Sequence, residues 1–196
     1  IYGIHDLTYN SKEFSEFKSL KITKELNRKQ LVTIFYNTQD PVLSDKKIRD
    51  ALSYSVYDKF DQGLRNYSPF APNSWANSES GKYTQDIEIA KEFLSSSSAS
   101  DSSKLKLILK SLPQYKDAAT ILRKDFEKTG IKIEIKEVDS VPETFQMFLG
   151  DFNLSKDPDQ YLLWHSSQNS NISHYKNLRI DKLLEDHDVI ILDGLY

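Results

Sequence analysis

The chain has 196 residues, of which 38% are hydrophobic and 12% aromatic, which is enough for one domain or for a domain with a small appendage. Its 26 basic and 29 acidic residues give a net charge of −3, so there is no basic excess to neutralise phosphates and we expect no nucleic-acid partner. Cysteine is absent, which excludes disulfides, thiolate catalysis, zinc–thiolate sites and iron–sulfur clusters. The apolar runs are too short to predict a transmembrane helix.

The N-terminal part of the sequence predicts two helices around two strands. Asn10 or Ser11 caps a short helix that ends near residue 20, and residues 21–26 form a β-like segment. Residues 30–37 contain the β-branched and aromatic run VTIFY, which is typical of a buried strand. Ser44 or Asp45 then caps a second helix. The apolar residues of that helix fall on one face: Ile48, Ala51, Leu52 and Val56.

The next part of the sequence predicts a helix between two loops. Residues 61–84 are rich in Gly, Pro, Asn and Ser but also contain large aromatic residues, which indicates a long ordered loop. Asp86 begins a helix with apolar residues at helical spacing. Residues 95–103 are almost entirely serine and predict a flexible surface loop.

A strand–helix–strand unit is the clearest prediction. Residues 105–110 and 131–136 alternate between the two faces of a half-buried strand. Between them, a helix begins at Pro113 and ends at Thr129 and Gly130, with Gly130 in the left-handed conformation. The two strands are therefore expected to be parallel. The predicted apolar face of the helix contains Ala118, Ile121, Leu122 and Phe126.

The C-terminal part completes an α/β prediction. A further strand is expected at residues 145–149 and a short helix at residues 178–185. Residues 186–196 form a tail for which a strand is the only structure that the pattern suggests. Strands alternating with helices in this order predict an α/β fold.

The sequence offers little for catalysis. The four histidines are scattered without metal-ligand spacing, and no glycine-rich phosphate loop or nucleophile motif occurs. Asp157 and Asp159 flank Pro158, which leaves open a glycoside hydrolase that uses one of them together with a glutamate. Carboxylates in such a position more often accept backbone N–H bonds at a turn or at the start of a helix.

The aromatic residues are more informative. Several lie in or beside predicted loops and strand ends: Tyr36, Tyr67, Phe70, Trp75, Tyr161, Trp164 and Tyr175. Amides such as Asn37 and Gln160 lie close to them in the sequence. Such a set is typical of a cleft that stacks on the apolar parts of a ligand and hydrogen-bonds its polar parts. The residues therefore favour ligand binding without chemistry.

Several segments, in order along the chain, resemble a known family. They are FYNT at 35–38, LSDKKIRDALSYSV at 43–56, YSPF and PNSW at 67–75, residues 83–94, GIKIE at 130–134, GDF at 150–152, DPDQY at 157–161 with WHS at 164–166, and YKN at 175–177 with IDKLL at 180–184. Together they are similar to the C-terminal lobe of the extracellular solute-binding proteins of family 5. These proteins are the oligopeptide-, dipeptide- and nickel-binding receptors of ABC importers.

The resemblance implies a fold and a set of partners. Residues 1–185 would form lobe II of a type II periplasmic-binding-protein-like fold, a mixed sheet flanked by helices, with a hinge near residues 35–38. A first lobe, absent from this chain, would close on a peptide-like or other small amphipathic solute. ABC-transporter permease subunits would be further partners, and no cofactor is expected. A sensor that binds the same ligand for a regulator remains an alternative.

The resemblance also implies where the protein acts. Family members work outside the cytoplasmic membrane, in the periplasm or on the outer face of that membrane. Because the chain starts at Ile1 without the features of a signal peptide, we expect it to be a piece of a longer protein whose targeting signal lies elsewhere.

The combined reading predicts a set of ligand-binding residues: Tyr36, Asn37, Trp75, Asp157, Asp159, Gln160, Tyr161, Trp164 and His165. Trp75 and Trp164 would supply apolar walls, while Asn37 and Gln160 would supply hydrogen bonds. The two aspartates are expected to cap a helix beginning at Pro158 rather than to contact solute. One departure concerns Leu154, which occupies the position where peptide-binding members have an aspartate for the peptide's ammonium group.

Overall fold

The computed structural model describes residues 30–60, 63–68, 70, 74–77, 83–99, 105–154 and 159–193. The predicted helix near residues 10–20 and the predicted strand at residues 21–26 lie outside these ranges. Within the described part of the chain, no helix has the length and apolar character needed to cross a membrane.

The described residues form strands, helices and one 3-10 turn in an alternating order. The strands are β1 (Gln30–Tyr36), β2 (Lys59–Phe60), β3 (Gly63–Leu64), β4 (Lys106–Ser111), β5 (Lys132–Glu137) and β6 (Met147–Asn153). The helices are α1 (Lys46–Ser55), α2 (Ile87–Ser95), α3 (Lys116–Glu127), α4 (Tyr161–Trp164) and α5 (Leu178–Asp193), and the 3-10 turn is Pro113–Tyr115.

Four of the strands make one mixed sheet in the order β1-β6-β4-β5. β4 runs parallel to both β5 and β6, whereas β1 is antiparallel to β6. The parallel β4–α3–β5 unit is the one predicted from the alternating residues, and that prediction is confirmed. β2 and β3 form a separate short antiparallel pair, in which β3 lies inside residues 61–84, the segment predicted to be a loop, and β2 lies just before it.

Side-chain caps fix the starts of α1 and α2 where the sequence predicts them. Asp45 accepts a hydrogen bond from the Lys47 N–H at 2.8 Å, and Asp86 accepts one from the Ile89 N–H at 3.0 Å. Ile48, Ala51 and Leu52 of α1 are fully buried, as the helical spacing predicts. These caps therefore set the position at which each apolar face meets the sheet.

Helix α3 differs from the prediction at its start and on its buried face. The Pro113–Tyr115 turn precedes it, so the α-helix begins at Lys116 rather than at Pro113. Its buried apolar residues are Ala119, Leu122 and Phe126, whereas Ile121 is 37% exposed and was wrongly assigned to this face. The actual residues follow the i, i+3, i+7 spacing of one helical stripe. Gly130 has a φ of 92°, which confirms the left-handed end of the segment.

The last two main elements are longer than predicted. β6 starts at Met147 rather than at Phe145 and continues to Asn153. α5 extends through residues 186–193, so the strand suggested for the tail is wrong there. Neither glycine nor proline occurs between Leu178 and Asp193, and nothing in the sequence therefore stops the helix before Gly194.

The two faces of the sheet bury different groups of residues. Met147 and Leu149 of β6 join the main core with α1, α2 and α3. Phe148 points to the opposite face, where its ring lies 6.1 Å from the Phe35 ring of β1. Gly150 follows on that same face, and a Cβ there would lie 2.6 Å from Cε1 of Phe148. The packed Phe148 ring therefore explains why β6 has a glycine at this position.

Candidate functional site

An open groove lies beside β1 and brings together residues from distant parts of the chain. Its volume is about 350 Å³ and its lining is mainly apolar. The lining residues are Thr33, Ile34, Phe35, Tyr36, Thr38, Arg49, Trp164, Ser173, Tyr175 and Ile180. We call this feature the β1 groove.

The β1 groove follows the edge of β1 that faces away from β6. No described strand pairs with this outer edge. The Asn37 N–H donates to the Gln146 carbonyl at 2.9 Å, and bonding alternates along an antiparallel pair. The backbone groups of Ile34 and Tyr36 therefore point towards the groove. At one end, the Thr38 N–H donates to the Ser173 carbonyl at 3.0 Å and closes the groove.

Two of the predicted ligand-binding residues, Tyr36 and Trp164, line the groove. Burial raises the pKa of Tyr36 to about 12, although a hydrogen bond with Ser53 opposes the shift, so the phenol is neutral at physiological pH. The indole Nε1 of Trp164 donates to Oε1 of Gln160 at 2.9 Å, which fixes the orientation of the ring. Tyr36 and Trp164 thus bring two aromatic rings into the lining of the groove.

The amides that were predicted to bind ligand already have partners. Nδ2 of Asn37 donates to the Phe145 carbonyl at 2.9 Å, and its Oδ1 accepts from the Gln39 N–H at 3.0 Å. Gln160 accepts the hydrogen bond from Trp164. Gln160 therefore holds a lining residue in place, whereas Asn37 bonds to residues outside the lining. Contact of either side chain with a ligand stays a prediction.

The remaining predicted residues that the structure describes do not line the groove. Asp159 accepts from the Tyr161 N–H at 2.7 Å, so it bonds to the backbone at the start of α4, but the N-cap residue is Gln160 and the helix begins at Tyr161 rather than at Pro158. His165 is only 7% exposed and stacks on the Tyr161 ring at 4.3 Å. Trp75 is 79% exposed. Asp157 lies outside the described residues.

The other lining residues were not among the predicted ligand-binding residues, and three of them come from outside β1 and the predicted aromatic set: Arg49, Ser173 and Ile180. Arg49 donates to the carbonyls of Leu43 at 2.7 Å and Ser44 at 2.9 Å, which holds its guanidinium beside β1. No local pattern marks these residues, because α1, α5 and the segment before α5 meet β1 only through tertiary packing. Within the described residues, no group of three metal-ligating side chains occurs.

A carboxylate on α5 anchors the segment that carries Trp164. Asp181 accepts hydrogen bonds from the Ser166 hydroxyl at 2.6 Å and from the Ser166 N–H at 2.9 Å. These donors hold the pKa of Asp181 below its usual range, the hydroxyl being the stronger cause. The carboxylate therefore binds protons less readily in the folded state than in the unfolded state.

We expect Asp181→Asn to lower stability at pH 7 and to lower it less in acid. The stabilisation from ionised Asp181 is complete above its unfolded pKa of about 4 and is lost as the pH falls through the lower folded value. Urea denaturation at pH 7 and at pH 3 measures the difference in unfolding free energy between the variant and the wild type at each pH. Asp186→Asn, on the exposed face of α5, serves as the control. If the loss of unfolding free energy in Asp181→Asn were the same at both pH values, this prediction would be contradicted.

The comparisons with known proteins define the family. "Bacterial extracellular solute-binding proteins, family 5 Middle" matches residues 5–174, and the chain belongs to this family of solute-binding proteins. Oligopeptide-binding protein AppA of Bacillus subtilis (strain 168) is 27% identical over 216 residues, which cover 89% of this chain and 38% of AppA. The resemblance inferred from the ordered motifs is thereby confirmed.

Solved structures show the same fold. AppA from Bacillus subtilis in complex with a nonapeptide matches with a TM-score of 0.72 at 25% identity, covering 89% of this chain and 42% of that one. NikA from Staphylococcus aureus in complex with Ni(L-His)2 matches with a TM-score of 0.74 at 21% identity, covering 90% and 42%. The predicted type II periplasmic-binding-protein fold is confirmed, and the chain spans about two fifths of these relatives.

Proposed function

We propose that this chain is the second lobe of the solute receptor of an ABC importer, and that the receptor captures a peptide-like or other small amphipathic solute between two lobes. The β1 groove is the observation that carries the proposal, because it places Tyr36 and Trp164 beside a strand edge without a described partner. Support also comes from the relative AppA, which is an oligopeptide-binding protein whose structure holds a nonapeptide.

The groove suits an extended peptide. A peptide that adds to the edge of a sheet pairs with its backbone N–H and C=O groups, while pockets take alternate side chains. Ile34 and Tyr36 offer such backbone groups, and Trp164 and Tyr175 offer apolar surface on the opposite wall. These contacts involve no bond making or breaking, so the proposed role is binding rather than catalysis.

Closure of a first lobe would supply the other contacts. Affinity would then depend on both lobes, and this lobe alone should bind poorly because part of the contact surface is missing. The hinge near residues 35–38 stays a prediction. Asn37 and Thr38 are bonded to Phe145 and Ser173, so these two residues would move with this lobe. Delivery to permease subunits outside the cytoplasmic membrane completes the proposed role.

Native mass spectrometry of the two-lobed receptor, purified from its source, tests the proposal. We expect a mass increment from a co-purified peptide or other small amphipathic molecule, released when the protein is unfolded. A tightly held nucleotide or metal ion in its place, with no such molecule, would contradict the proposed function.

A further inference from the structure

One face of the β4–β5 pair carries four lysines in two cross-strand pairs. The parallel register places Lys106 opposite Lys132 and Lys110 opposite Lys136. Because side chains alternate along a strand, all four lie on the face that turns away from the main core. One carboxylate lies among them: Glu134 forms ion pairs with Nζ of Lys106 at 2.9 Å and with Nζ of Lys136 at 3.4 Å. We call the four lysines the lysine face.

The lysine face is compact and positively charged. A rise of about 3.3 Å per residue and a spacing of about 4.8 Å between strands place its four Cα atoms at the corners of a rectangle of about 13 Å by about 5 Å. Lys110 is half-buried and donates to the Thr144 carbonyl, and the other three lysines are exposed. Four ammonium groups and the Glu134 carboxylate together give a net charge of +3, whereas the whole chain has −3. Within the described residues, no other carboxylate forms an ion pair with these lysines.

Neither solvent exposure nor edge protection explains this arrangement. Like charges directly opposite each other destabilise a sheet, and an exposed face needs only polar residues, not lysine opposite lysine. Lysines on an edge strand hinder pairing with other molecules, which would account for Lys132 and Lys136 on β5. β4 is not an edge strand, since it pairs with both β5 and β6, yet it carries Lys106 and Lys110. The arrangement therefore favours an anionic partner.

The composition of the lysine face distinguishes among anionic partners. Protein–protein interfaces are enriched in aromatic residues and arginine and depleted in lysine. Here every cation is a lysine, and the residue between Lys106 and Lys110 on this face is the half-buried Ile108. Such an array suits the phosphates of lipid headgroups, because each lysine near an anionic membrane strengthens adsorption about 5-fold. The proposed function brings the receptor to permease subunits in a membrane, so lipid headgroups lie within its reach.

We propose that the lysine face docks the receptor on the membrane by binding the phosphates of anionic phospholipids. This inference rests on the proposed function only for the location of the receptor, and it adds a second binding surface. β5 and β1 are the two opposite edges of the sheet, and none of the four lysines lines the β1 groove. Membrane docking and solute binding therefore do not compete for one surface.

Co-sedimentation of the two-lobed receptor with vesicles tests this proposal. Vesicles with equal parts of phosphatidylglycerol and phosphatidylcholine are the anionic probe, and vesicles of phosphatidylcholine alone measure binding that does not depend on charge. The wild type should prefer the anionic vesicles, and the preference should disappear between about 20 mM and about 500 mM salt because salt screens exposed charges. Lys132→Gln combined with Lys136→Gln should weaken binding to anionic vesicles about 10- to 30-fold, because two positive charges are removed.

Glu134→Gln should act in the opposite direction. It removes the carboxylate among the four lysines, so anionic vesicles should bind about 2- to 5-fold more tightly, a gain that a folding defect would not produce. Lys124→Gln combined with Lys182→Gln is the matched control. These two exposed lysines lie on α3 and α5, and their removal makes the same change in net charge, so binding should change less than about 2-fold.

Several outcomes would overturn the proposal. Equal binding of the wild type to both kinds of vesicle would do so, as would equal effects of the β5 double variant and its control. Loss of vesicle binding in inorganic phosphate at constant ionic strength would show that the lysines bind free phosphate instead. Tighter binding to immobilised polyglutamate than to vesicles would indicate an acidic protein partner. Solute capture is measured without vesicles, so each of these results leaves the proposed function standing, and failure of solute capture leaves membrane docking standing.

Discussion

Replacing Trp164 with alanine in the two-lobed receptor is expected to weaken solute binding about 10- to 100-fold, the size of effect seen when an aromatic hot spot is removed. Trp164 lines the β1 groove, and its ring is oriented by the hydrogen bond to Gln160. The indole is only partly buried and belongs to the four-residue helix α4, so the change should lower the melting temperature by only about 2–4 °C. Isothermal titration calorimetry with the co-purified solute and thermal unfolding measure the two effects.

Leu162→Ala is the matched control for this prediction. Leu162 lies on the same helix, is exposed and does not line the groove, so its removal tests the helix without the aromatic wall. We expect unchanged affinity. If Trp164→Ala lowered the melting temperature strongly and left binding intact, Trp164 would be a packing residue and the assignment of the groove would be wrong.

Arg65→Ala should produce the largest loss of stability, about 3–4 kcal/mol. The side chain of Arg65 is 14% exposed and donates to the carbonyls of Val56 at 2.7 Å and Ser53 at 2.9 Å. It also forms an ion pair with Asp58 at 2.7 Å. Removing the guanidinium leaves these acceptors at the end of α1 unpaired.

Asp58, the ion-pair partner of Arg65, is also held by other hydrogen bonds. Burial opposes ionisation of Asp58, but hydrogen bonds from the Gln85 N–H and the Tyr67 hydroxyl, together with Arg65, outweigh it and hold the pKa of Asp58 below its usual range. Without Arg65, this charge would lose its counter-ion. The loss should therefore exceed that of an ordinary surface ion pair.

Urea denaturation of the chain measures the effect of Arg65→Ala. Arg65→Lys should recover only part of the stability, because an ammonium cannot reproduce the fork of guanidinium donors. Arg179→Ala, on the exposed surface of α5, should cost less than about 0.5 kcal/mol. A cost for Arg65→Ala as small as that of Arg179→Ala would contradict the structural role of this cluster.

The elements that could be predicted are those whose information is local. The alternation along β4 and β5, the glycine at position 130 and the capping side chains of Asp45 and Asp86 each act within a few residues, and each prediction is confirmed. Ile121 was assigned to the wrong face because two neighbouring helical stripes were both partly apolar. In the structure, the stripe that contains Ala119 and Phe126 is the buried one.

The candidate site could be predicted only in part, because it depends on which residues meet in space. Tyr36 and Trp164 were predicted as separate aromatic residues, and only the tertiary structure shows that they share a groove. Asn37 looked like a ligand-binding amide, but its Nδ2 donates to the carbonyl of Phe145, which lies just before β6.

The composition of β1 has a consequence for the solubility of this lobe. Its sequence, QLVTIFY, contains neither a charged residue nor a proline, the two features that commonly keep exposed strands from pairing with other molecules. Because no described strand covers the outer edge of β1, two copies whose outer β1 edges met could extend one sheet into the other and begin to aggregate. A bound solute or a companion lobe that covered this edge would prevent such self-association.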